Sequence, residues 1–275
     1  MLLAHKFADP QLNLTLELFL RAIADFFGQR LVSVILHGSI VYDDLAPGYG
    51  DLDFLAVVDD DLSDRACLQL AALRRPFRSR DYGVLATMIE GAFLPRPMLD
   101  PARTGQAFWW GTSGERAWRN SQLGWLVLHV VREQGIVIWG EDVRPEVPQA
   151  KREQLVQEIW EICRNMEEHG KGGDLHSVEW LLTAARELLF LKEGRFSSKS
   201  EAADWAYLHS KGDWRKWLLR AKQFRSNPTL ADSAESRQWL DGLTVSIREA
   251  SEELRQELAS GWDGLAVVRE AHSVN

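Results

Sequence analysis

The sequence contains only two cysteines, no long hydrophobic run and no excess of basic residues. Cys67 and Cys163 both fall within helical patterns, which excludes a disulfide framework and a cysteine-based zinc site. No apolar run approaches the roughly 20 residues that a membrane-spanning helix needs, and the N-terminus lacks the apolar core of a secretory signal. We therefore expect a cytoplasmic protein with no membrane partner.

The charge balance excludes a further class of partner. The 275 residues include 40 acidic and 32 basic side chains, for a net charge of −8. Proteins that bind nucleic acid present basic surface, so we expect no nucleic-acid partner, and a cationic small substrate suits an acidic protein better. The composition, 45% hydrophobic and 26% charged, is typical of a soluble globular protein of one or two domains. We expect a monomer.

A phosphate-binding P-loop is also missing. The stretch Gly170–Gly173 reads Gly-Lys-Gly-Gly and lacks the Gly-Lys-Ser/Thr ending of that motif. We interpret it as a flexible turn.

The stretch from Leu31 to Val58 carries the strongest signals in the chain. Its apolar run Leu31–Leu36 predicts a buried strand, and Gly38-Ser39 follows at once. A short amphipathic segment and a turn at Pro47-Gly48 come next. The alternation that follows, from Gly50-Asp51 onward, predicts a second strand.

Two aspartates lie on that second strand. Because strand side chains alternate between faces, Asp51 and Asp53 are expected to point the same way. Two carboxylates on one face repel each other unless a cation lies between them, and oxygen ligands suit Mg²⁺, which also binds substrate phosphates. Gly38 allows a close approach of the backbone to a phosphate, and the N–H groups at a helix start attract anions. The alternative is a solvated Asp-x-Asp pair in a surface hairpin.

The remaining chain divides into a mixed first part and a helical second part. We place the boundary in the Pro- and acid-rich segment Gly140–Pro148, giving domains 1–145 and 146–275. The fold class predicted is α+β, with a mixed sheet in the N-terminal α/β domain and an all-helical C-terminal domain. The tail beyond Gly261 is expected to be loosely held.

The predicted elements of the first domain are a helix over 10–27 ended by Gly28, a helix from Ser63 to Arg74, a strand from Tyr82 to Leu94 with a bulge at Gly91, an irregular segment from Arg96 to Arg119, a helix from Ser121 to Gln134 and a strand from Gly135 to Trp139. Those of the second are helices over 154–168, 178–193, 213–224 and 232 to about 260, with a further helix beginning near Lys199.

Lys199 stands out because Ser198 and Glu201 form a capping box around it. A lysine in the first turn of a helix is disfavoured by the helix dipole by about 0.3–1 kcal/mol. We interpret this placement as a sign that an anion binds there. Arg186 lies off the apolar stripe of its helix, where a solvated arginine is the ordinary interpretation.

The hydrophobic strand, Gly38-Ser39, the short helix and the Asp51-Leu-Asp53 pair together resemble the polymerase-β type of nucleotidyltransferase. That superfamily carries a third carboxylate on the strand after the aspartate pair, and Glu90 is the candidate there. A shifted match would place Leu85 at that position. We prefer Glu90, because a glycine follows it and no other carboxylate is available. The following Gly91 would let a nucleotide or acceptor approach closely.

The segment VEWLLTAARELLFLKEGRFSSKSEAADWA is similar to the C-terminal helices of the streptomycin/spectinomycin-type aminoglycoside adenylyltransferases. Arg186, Gly194, Lys199 and Asp204-Trp205-Ala206 match that family's pattern in order. The resemblance covers roughly residues 31–206. It implies that Asp51 and Asp53 bind Mg²⁺ and that Glu90 is the catalytic base. It also implies that Gly38, Ser39, Arg186 and Lys199 hold the triphosphate of ATP.

The resemblance implies a Mg²⁺-dependent transfer of AMP from ATP to a hydroxyl group of a small cationic molecule, an aminoglycoside-type antibiotic first of all, with release of pyrophosphate. We expect the helical domain to close over the nucleotide and the acceptor to lie between the domains. Two alternatives remain: a non-catalytic nucleotide-binding or interaction protein, and AMP transfer to a protein or to another class of antibiotic. The tryptophans also have an alternative role, since they can pin their loop to the core. The candidate substrate contacts are Trp109, Trp110, Trp118, Asp174 and Glu179.

Overall fold

The structure is a computed structural model that describes residues 2–46, 49–111 and 114–260. The turn predicted at Pro47-Gly48 and the tail predicted beyond Gly261 lie outside the described residues. The chain divides into two compact units, and the division falls between Lys151 and Arg152.

The first unit, within the described residues, combines one sheet with helices on its faces. A 3₁₀ turn over Gly38–Tyr42 follows the first strand. The helices and strands in chain order are α1 (Pro10–Phe27), β1 (Leu31–His37), β2 (Leu52–Val58), α2 (Asp64–Arg78), α3 (Val84–Thr87), β3 (Ile89–Pro95), β4 (Gly105–Gly111), β5 (Gly114–Ser121), α4 (Trp125–Gln134) and β6 (Ile136–Gly140).

The sheet is mixed, with strand order β5-β4-β3-β2-β1-β6. Its central pair, β2 and β3, runs parallel, and each other neighbouring pair is antiparallel. A parallel pair needs a crossover connection, and α2 and α3 lie in the segment between the two strands.

The two faces of the sheet bury separate cores. Alternate residues of β2 and β3, such as Phe54 and Phe93, face a first core that also contains residues of α1 and α2. The residues between them, such as Leu55 and Ala92, face a second core that contains residues of α4. Aromatic rings fill the centre of the first core, where the rings of Phe93 and Trp110 lie 4.9 Å apart in an edge-to-face arrangement.

Local capping explains where the first helices begin and end. The carboxylate of Asp9 accepts a hydrogen bond from the Gln11 N–H at 2.8 Å, and Pro10 occupies the first turn of α1. Gly28, with φ of +59°, ends that helix as predicted. The hydroxyl of Ser63 caps α2 in the same way, by accepting from the Ala66 N–H.

The predicted strand Tyr82–Leu94 is wrong in its first half. Val84–Thr87 form the helical turn α3, and β3 begins only at Ile89. A short apolar run does not by itself distinguish a strand from a buried helical turn. Here the guanidinium of Arg74 donates to the carbonyls of Ala86 and Thr87, which satisfies the end of the turn. Glu90 therefore lies near the start of its strand and not at the end.

Gly91 also has a different role from the one predicted. The pairing of β2 with β3 continues without a shift through Phe54 opposite Gly91, so there is no bulge between these strands. A Cβ atom at Gly91 would lie 2.0 Å from the carbonyl oxygen of Phe54. The glycine therefore allows two strands to approach each other, and not a nucleotide.

The segment Arg96–Arg119, predicted to be irregular, contains most of the antiparallel hairpin β4–β5. Its glycines Gly105, Gly111 and Gly114 lie at strand ends, where they do not interrupt the ladder. The helix predicted from Ser121 begins later, because Ser121 is the last residue of β5 and α4 begins at Trp125 after Gly124.

The second unit is helical throughout its described part, which confirms the predicted α+β class together with the mixed sheet of the first unit. Two predicted helices differ in detail: the one from Asp213 starts as a 3₁₀ turn over Asp213–Trp217, and the one from Asp232 is divided at Gly242. The helices are α5 (Arg152–His169), α6 (Ser177–Glu193), α7 (Lys199–His209), α8 (Leu218–Ser226), α9 (Ala234–Asp241) and α10 (Leu243–Ser260).

In the part of the chain that the structure describes, no helix is both long and apolar enough to cross a membrane. The two cysteines carry free thiols buried in the cores. Burial raises the pKa of both, that of Cys163 to about 12, so each thiol is protonated at neutral pH.

We predict that Gly91→Ala destabilises the protein by about 1–3 kcal/mol, the usual range for an overpacked core, because the added methyl group would meet the Phe54 carbonyl. Urea unfolding followed by tryptophan fluorescence would measure the loss. Gly242→Ala is the control. Gly242 has helical φ and ψ of −74° and −12°, so this variant should match the wild type or exceed it. Equal stability of the two variants would show that β2 and β3 separate without difficulty.

Candidate active site

The candidate site of the first unit is a row of residues across three adjacent strands. On β2, Asp53 pairs with His37 of β1 on one side and with Glu90 of β3 on the other. Paired residues share a face of the sheet, and neighbouring strands lie roughly 4.8 Å apart. The structure thus brings Glu90, the predicted base, next to Asp53, a predicted metal ligand. Both lie on the face of the sheet that packs against the second core.

The 3₁₀ turn after β1 closes one side of this row. Gly38 has φ of +70°, and a Cβ atom there would lie 2.0 Å from Oδ2 of Asp53. Glycine is favoured at this position, because its φ is left-handed and the turn lies directly against the Asp53 carboxylate. Ser39 lies in the same turn, half-buried like Gly38, and its carbonyl accepts from the Asp44 N–H at 3.1 Å.

His37, which the sequence analysis did not select, is the buried member of the row. Its imidazole bonds to the backbone of Phe54, and burial lowers its pKa to about 4. The ring is therefore neutral at physiological pH and adds no charge beside Asp53. The predicted strand ended at Leu36, whereas β1 includes His37, and the pairing of His37 with Asp53 depends on the register of two strands.

Asp51 precedes β2 and is half-buried, as are Asp53 and Glu90. Among the residues that the structure describes, no group of three or more histidine, cysteine, aspartate or glutamate side chains is arranged to hold a metal ion. Mg²⁺ is usually bound by one or two carboxylates together with water and substrate phosphates, and not by an all-protein cage. Two oxygen-donating aspartates next to a glycine turn therefore fit Mg²⁺ that arrives with a nucleotide.

The three candidate tryptophans divide between the two faces of the sheet. Trp109 and Trp118 stack with ring centroids 5.2 Å apart, and both pack against the second core, on the face that carries Asp53 and Glu90. The guanidinium of Arg116 lies over both rings, 6.0 and 5.9 Å from their centroids. Trp109 pairs with Ala92, two residues beyond Glu90 on the same face.

Trp110 is a correction to the predicted substrate wall. Its side chain points to the first core and is completely buried, and its indole N–H donates to the carbonyl of Leu70 at 3.1 Å. Alternation along β4 requires this, because Trp109 occupies the opposite face. Trp110 pins the strand to α2 and is not available to a substrate.

In the second unit, one predicted phosphate-binding cation, Lys199, bonds to the candidate substrate residue Glu179, and the other, Arg186, acts on Lys199 through its charge. Nζ of Lys199 lies 2.6 Å from Oε2 of Glu179, and Nη1 of Arg225 lies 2.8 Å from the other oxygen of the same carboxylate. Arg186 lies close enough for its charge to lower the pKa of Lys199, and it bonds to the fully buried Glu187 at 3.0 Å. We call Glu179, Arg186, Lys199 and Arg225 the cation cluster.

Lys199 occupies an environment that disfavours its charge. Burial lowers its pKa, the Glu179 carboxylate opposes this effect, and the charges of Arg186 and Arg225 lower the pKa further. The sequence predicted an anion beside this lysine, and Glu179 is an anion in that position. The capping prediction is confirmed in part, since the Ser198 hydroxyl accepts from the Glu201 N–H at 2.9 Å, whereas the Glu201 carboxylate bonds to Arg195.

Arg225 is the member of the cation cluster that the sequence did not identify. It lies on α8, 46 residues from Glu179, and its side chain is 7% exposed. Its place in a helix rich in arginine and lysine gave no local signal. Asp174, another candidate substrate residue, accepts hydrogen bonds from the N–H and the hydroxyl of Ser177 at the start of α6, which is a structural role.

We predict that Glu179→Gln lowers the free energy of unfolding by about 1.5–3 kcal/mol, because two cations lose the charge of their shared hydrogen-bond acceptor. Urea unfolding followed by circular dichroism would measure it, and added salt should reduce the loss by screening the repulsion. Glu235→Gln is the control. Its carboxylate is 84% exposed and lies 3.4 Å from Arg220, so no measurable change is expected. If both variants match the wild type, Glu179 does not stabilise the cation cluster.

Comparison with known proteins identifies a family model and a solved structure that are similar to this chain. Residues 143–262 match the family model described as the C-terminal domain of aminoglycoside adenylyltransferase, a range that includes the whole cation cluster. No curated protein matches the sequence. Among solved structures, the fold is similar to that of spectinomycin adenyltransferase AAD(9) from Enterococcus faecialis, determined with ATP and spectinomycin. The TM-score is 0.69 at 16% identity, over 88% of this chain and 98% of the other. The family match confirms the predicted resemblance to the aminoglycoside adenylyltransferases over the C-terminal domain, and the structural match shows a shared fold.

Proposed function

We propose that this protein transfers AMP from ATP to a hydroxyl group of an aminoglycoside-type antibiotic, in a Mg²⁺-dependent reaction that releases pyrophosphate. The observation that carries the proposal is the pairing of Asp53 with Glu90 beside the Gly38 turn. In this pairing, two carboxylates with different expected roles lie next to each other, and the glycine turn lies directly against one of them. The family match of the C-terminal half and the fold shared with an ATP-bound adenyltransferase support it.

In the proposed reaction, Glu90 accepts the proton of the acceptor hydroxyl. The resulting oxygen nucleophile forms a bond to the α-phosphorus of ATP, and the bond between that phosphorus and the bridging oxygen of pyrophosphate breaks. Glu90 is suited to this role because a half-buried carboxylate on a central strand is held in position by the sheet. General-base assistance of this kind contributes roughly 10²–10⁴-fold to the rate.

Asp51 and Asp53 would hold the Mg²⁺. When bound, Mg²⁺ supplies charge stabilisation on the phosphate oxygens and orients the leaving group. The protein's part is to keep the two aspartates at the entrance to β2. The backbone hydrogen bond from the Leu52 N–H to the Met88 carbonyl, 2.7 Å long, fixes that entrance next to the start of β3.

For the triphosphate we keep the assignment that the resemblance implies: Gly38 and Ser39 in the turn, and Arg186 and Lys199 in the cation cluster. The geometry supports the pairing of the last two, because they lie in one electrostatic environment that disfavours additional positive charge. A polyanionic ligand relieves that repulsion. Since ATP is the co-substrate, we place the activity in the cytoplasm.

For the acceptor, the stacked pair Trp109 and Trp118 is the best-supported wall, because it shares a face of the sheet with Glu90. Trp109 pairs with Ala92, which lies two residues beyond the proposed base on the same face of the sheet. The solved relative was determined with spectinomycin, so spectinomycin is the first acceptor to test.

We expect purified protein with ATP and Mg²⁺ to release pyrophosphate when spectinomycin or another member of an aminoglycoside panel is added. Asp51→Asn and Asp53→Asn should each abolish the release while the protein remains folded, because each removes a metal-binding charge. Asp43→Asn is the matched control, since Asp43 is exposed and left-handed at φ of 52°, which asparagine tolerates. Full activity of both site variants would refute the two-aspartate site, and no release with any acceptor would refute the proposed transfer.

A second prediction separates the role of a base from that of a metal ligand at Glu90. If Glu90 is the base, Glu90→Gln should bind Mg-ATP with near wild-type affinity in isothermal titration and turn over roughly 10²–10⁴-fold more slowly. An equal loss of binding would make Glu90 a ligand of the metal. Wild-type turnover would mean that another group accepts the proton.

A further inference from the structure

Arg74 is a buried charge that the proposed reaction does not use. It lies on α2 and has no exposed surface, in the first core beneath the sheet. Burial, together with the charge of Arg78, lowers its pKa to about 10 against the opposing charges of Glu115, Glu90 and Asp51. The guanidinium thus remains charged at neutral pH. A buried charge is unfavourable unless it is paired and hydrogen-bonded, so its contacts matter.

Those contacts meet at one point. Nη1 of Arg74 donates to the carbonyl of Ala86 at 3.2 Å, and Nη2 donates to the carbonyl of Thr87 at 3.3 Å. These are the last two residues of α3, where carbonyls lack partners within the helix. The guanidinium also lies over the Trp110 ring, 5.3 Å from its centroid. Trp110 in turn bonds to Leu70, one helical turn before Arg74.

The backbone that Arg74 holds leads directly to the proposed base. Thr87 precedes Glu90 by only three residues, and the residue between α3 and β3, Met88, accepts a hydrogen bond from the Leu52 N–H at 2.7 Å. Leu52 lies between Asp51 and Asp53. One guanidinium therefore anchors the junction from which both carboxylate-bearing strands begin.

We propose that Arg74 is a positioning residue for this site: its two carbonyl hydrogen bonds fix the start of β3 so that Glu90 lies opposite Asp53. This inference rests on the proposed function for its catalytic consequence. Its structural part, the fixed α3–β3 junction, stands independently. A purely structural arginine would stabilise the core and leave the turnover of folded protein unchanged.

The test compares Arg74→Met and Arg74→Lys with Arg75→Met, a control on the exposed side of the same helix. Methionine keeps helix propensity and length but removes the charge and both hydrogen bonds. Lysine keeps the charge but cannot reproduce the fork of two donors, and it is the variant to use if Arg74→Met does not fold.

Two measurements are made on the full chain. The first is kcat and KM for Mg-ATP with whichever antibiotic supports wild-type turnover. For Arg74→Met we expect kcat to fall by about 10²-fold, the usual consequence of a 1 Å misplacement, with little change in KM. Arg74→Lys should be intermediate, and Arg75→Met should match the wild type.

The second measurement is backbone hydrogen exchange by mass spectrometry. It should become faster in the peptide that contains Met88–Gly91 while remaining unchanged in α1, which reports the stability of the core. Faster exchange throughout the unit, or wild-type kcat in folded Arg74 variants, would overturn the proposal. If the wild type transfers AMP to no acceptor, the proposed function fails. The local exchange result then supports or overturns the positioning of Glu90 by itself.

Discussion

The site of the first unit depends on one constraint, the register of the parallel strands β2 and β3. With Asp53 opposite Glu90, both carboxylates lie on the face of the second core, and Phe54 and Phe93 fill the first. A slip by one residue would move every side chain of one strand to the other face, burying a carboxylate among aromatic rings. In this register Gly91 lies opposite Phe54, where a side chain would meet the Phe54 carbonyl. The position of the glycine therefore favours this register of β2 and β3. Packing and chemistry are therefore specified by the same residues.

Local signals accounted for much of the fold. The helix α1 and its glycine end, the strands β1, β2 and β6, and the Ser198 cap of α7 follow from periodicity and capping, which act within a few residues. Where contacts between residues distant in sequence determine the structure, local patterns did not predict it. The turn α3 is held by hydrogen bonds from Arg74 to Ala86 and Thr87, 12 and 13 residues further along the chain. The hairpin β4–β5 has its glycines at strand ends, where they do not interrupt the pairing. Glycine and proline density indicates breaks without showing where they fall.

The same distinction applies to the site residues. Asp51, Asp53 and Gly38 were identified by a compact motif, and Arg186 and Lys199 by a second one, so each group could be read from a short stretch. His37, Arg74 and Arg225 belong to no motif, and only the register of strands or the packing of helices brings them to the others. Trp110 shows the converse. Its neighbour Trp109 has the same chemistry, but alternation along one strand places one ring in the core and the other on the face of the proposed base.

Each unit concentrates charge of one sign and supports it with a buried opposite charge. In the first, the charges of Glu90 and Asp51 act on the buried Arg74; in the second, Lys199 and Arg225 bond to Glu179, and Arg186 bonds to the buried Glu187. Such arrangements are only partly compensated in the free protein, because bringing like charges together is unfavourable and burial strengthens the effect. A ligand of opposite charge therefore gains binding energy from relief of repulsion as well as from new contacts. Because it binds the folded state alone, it also stabilises the unit that holds it.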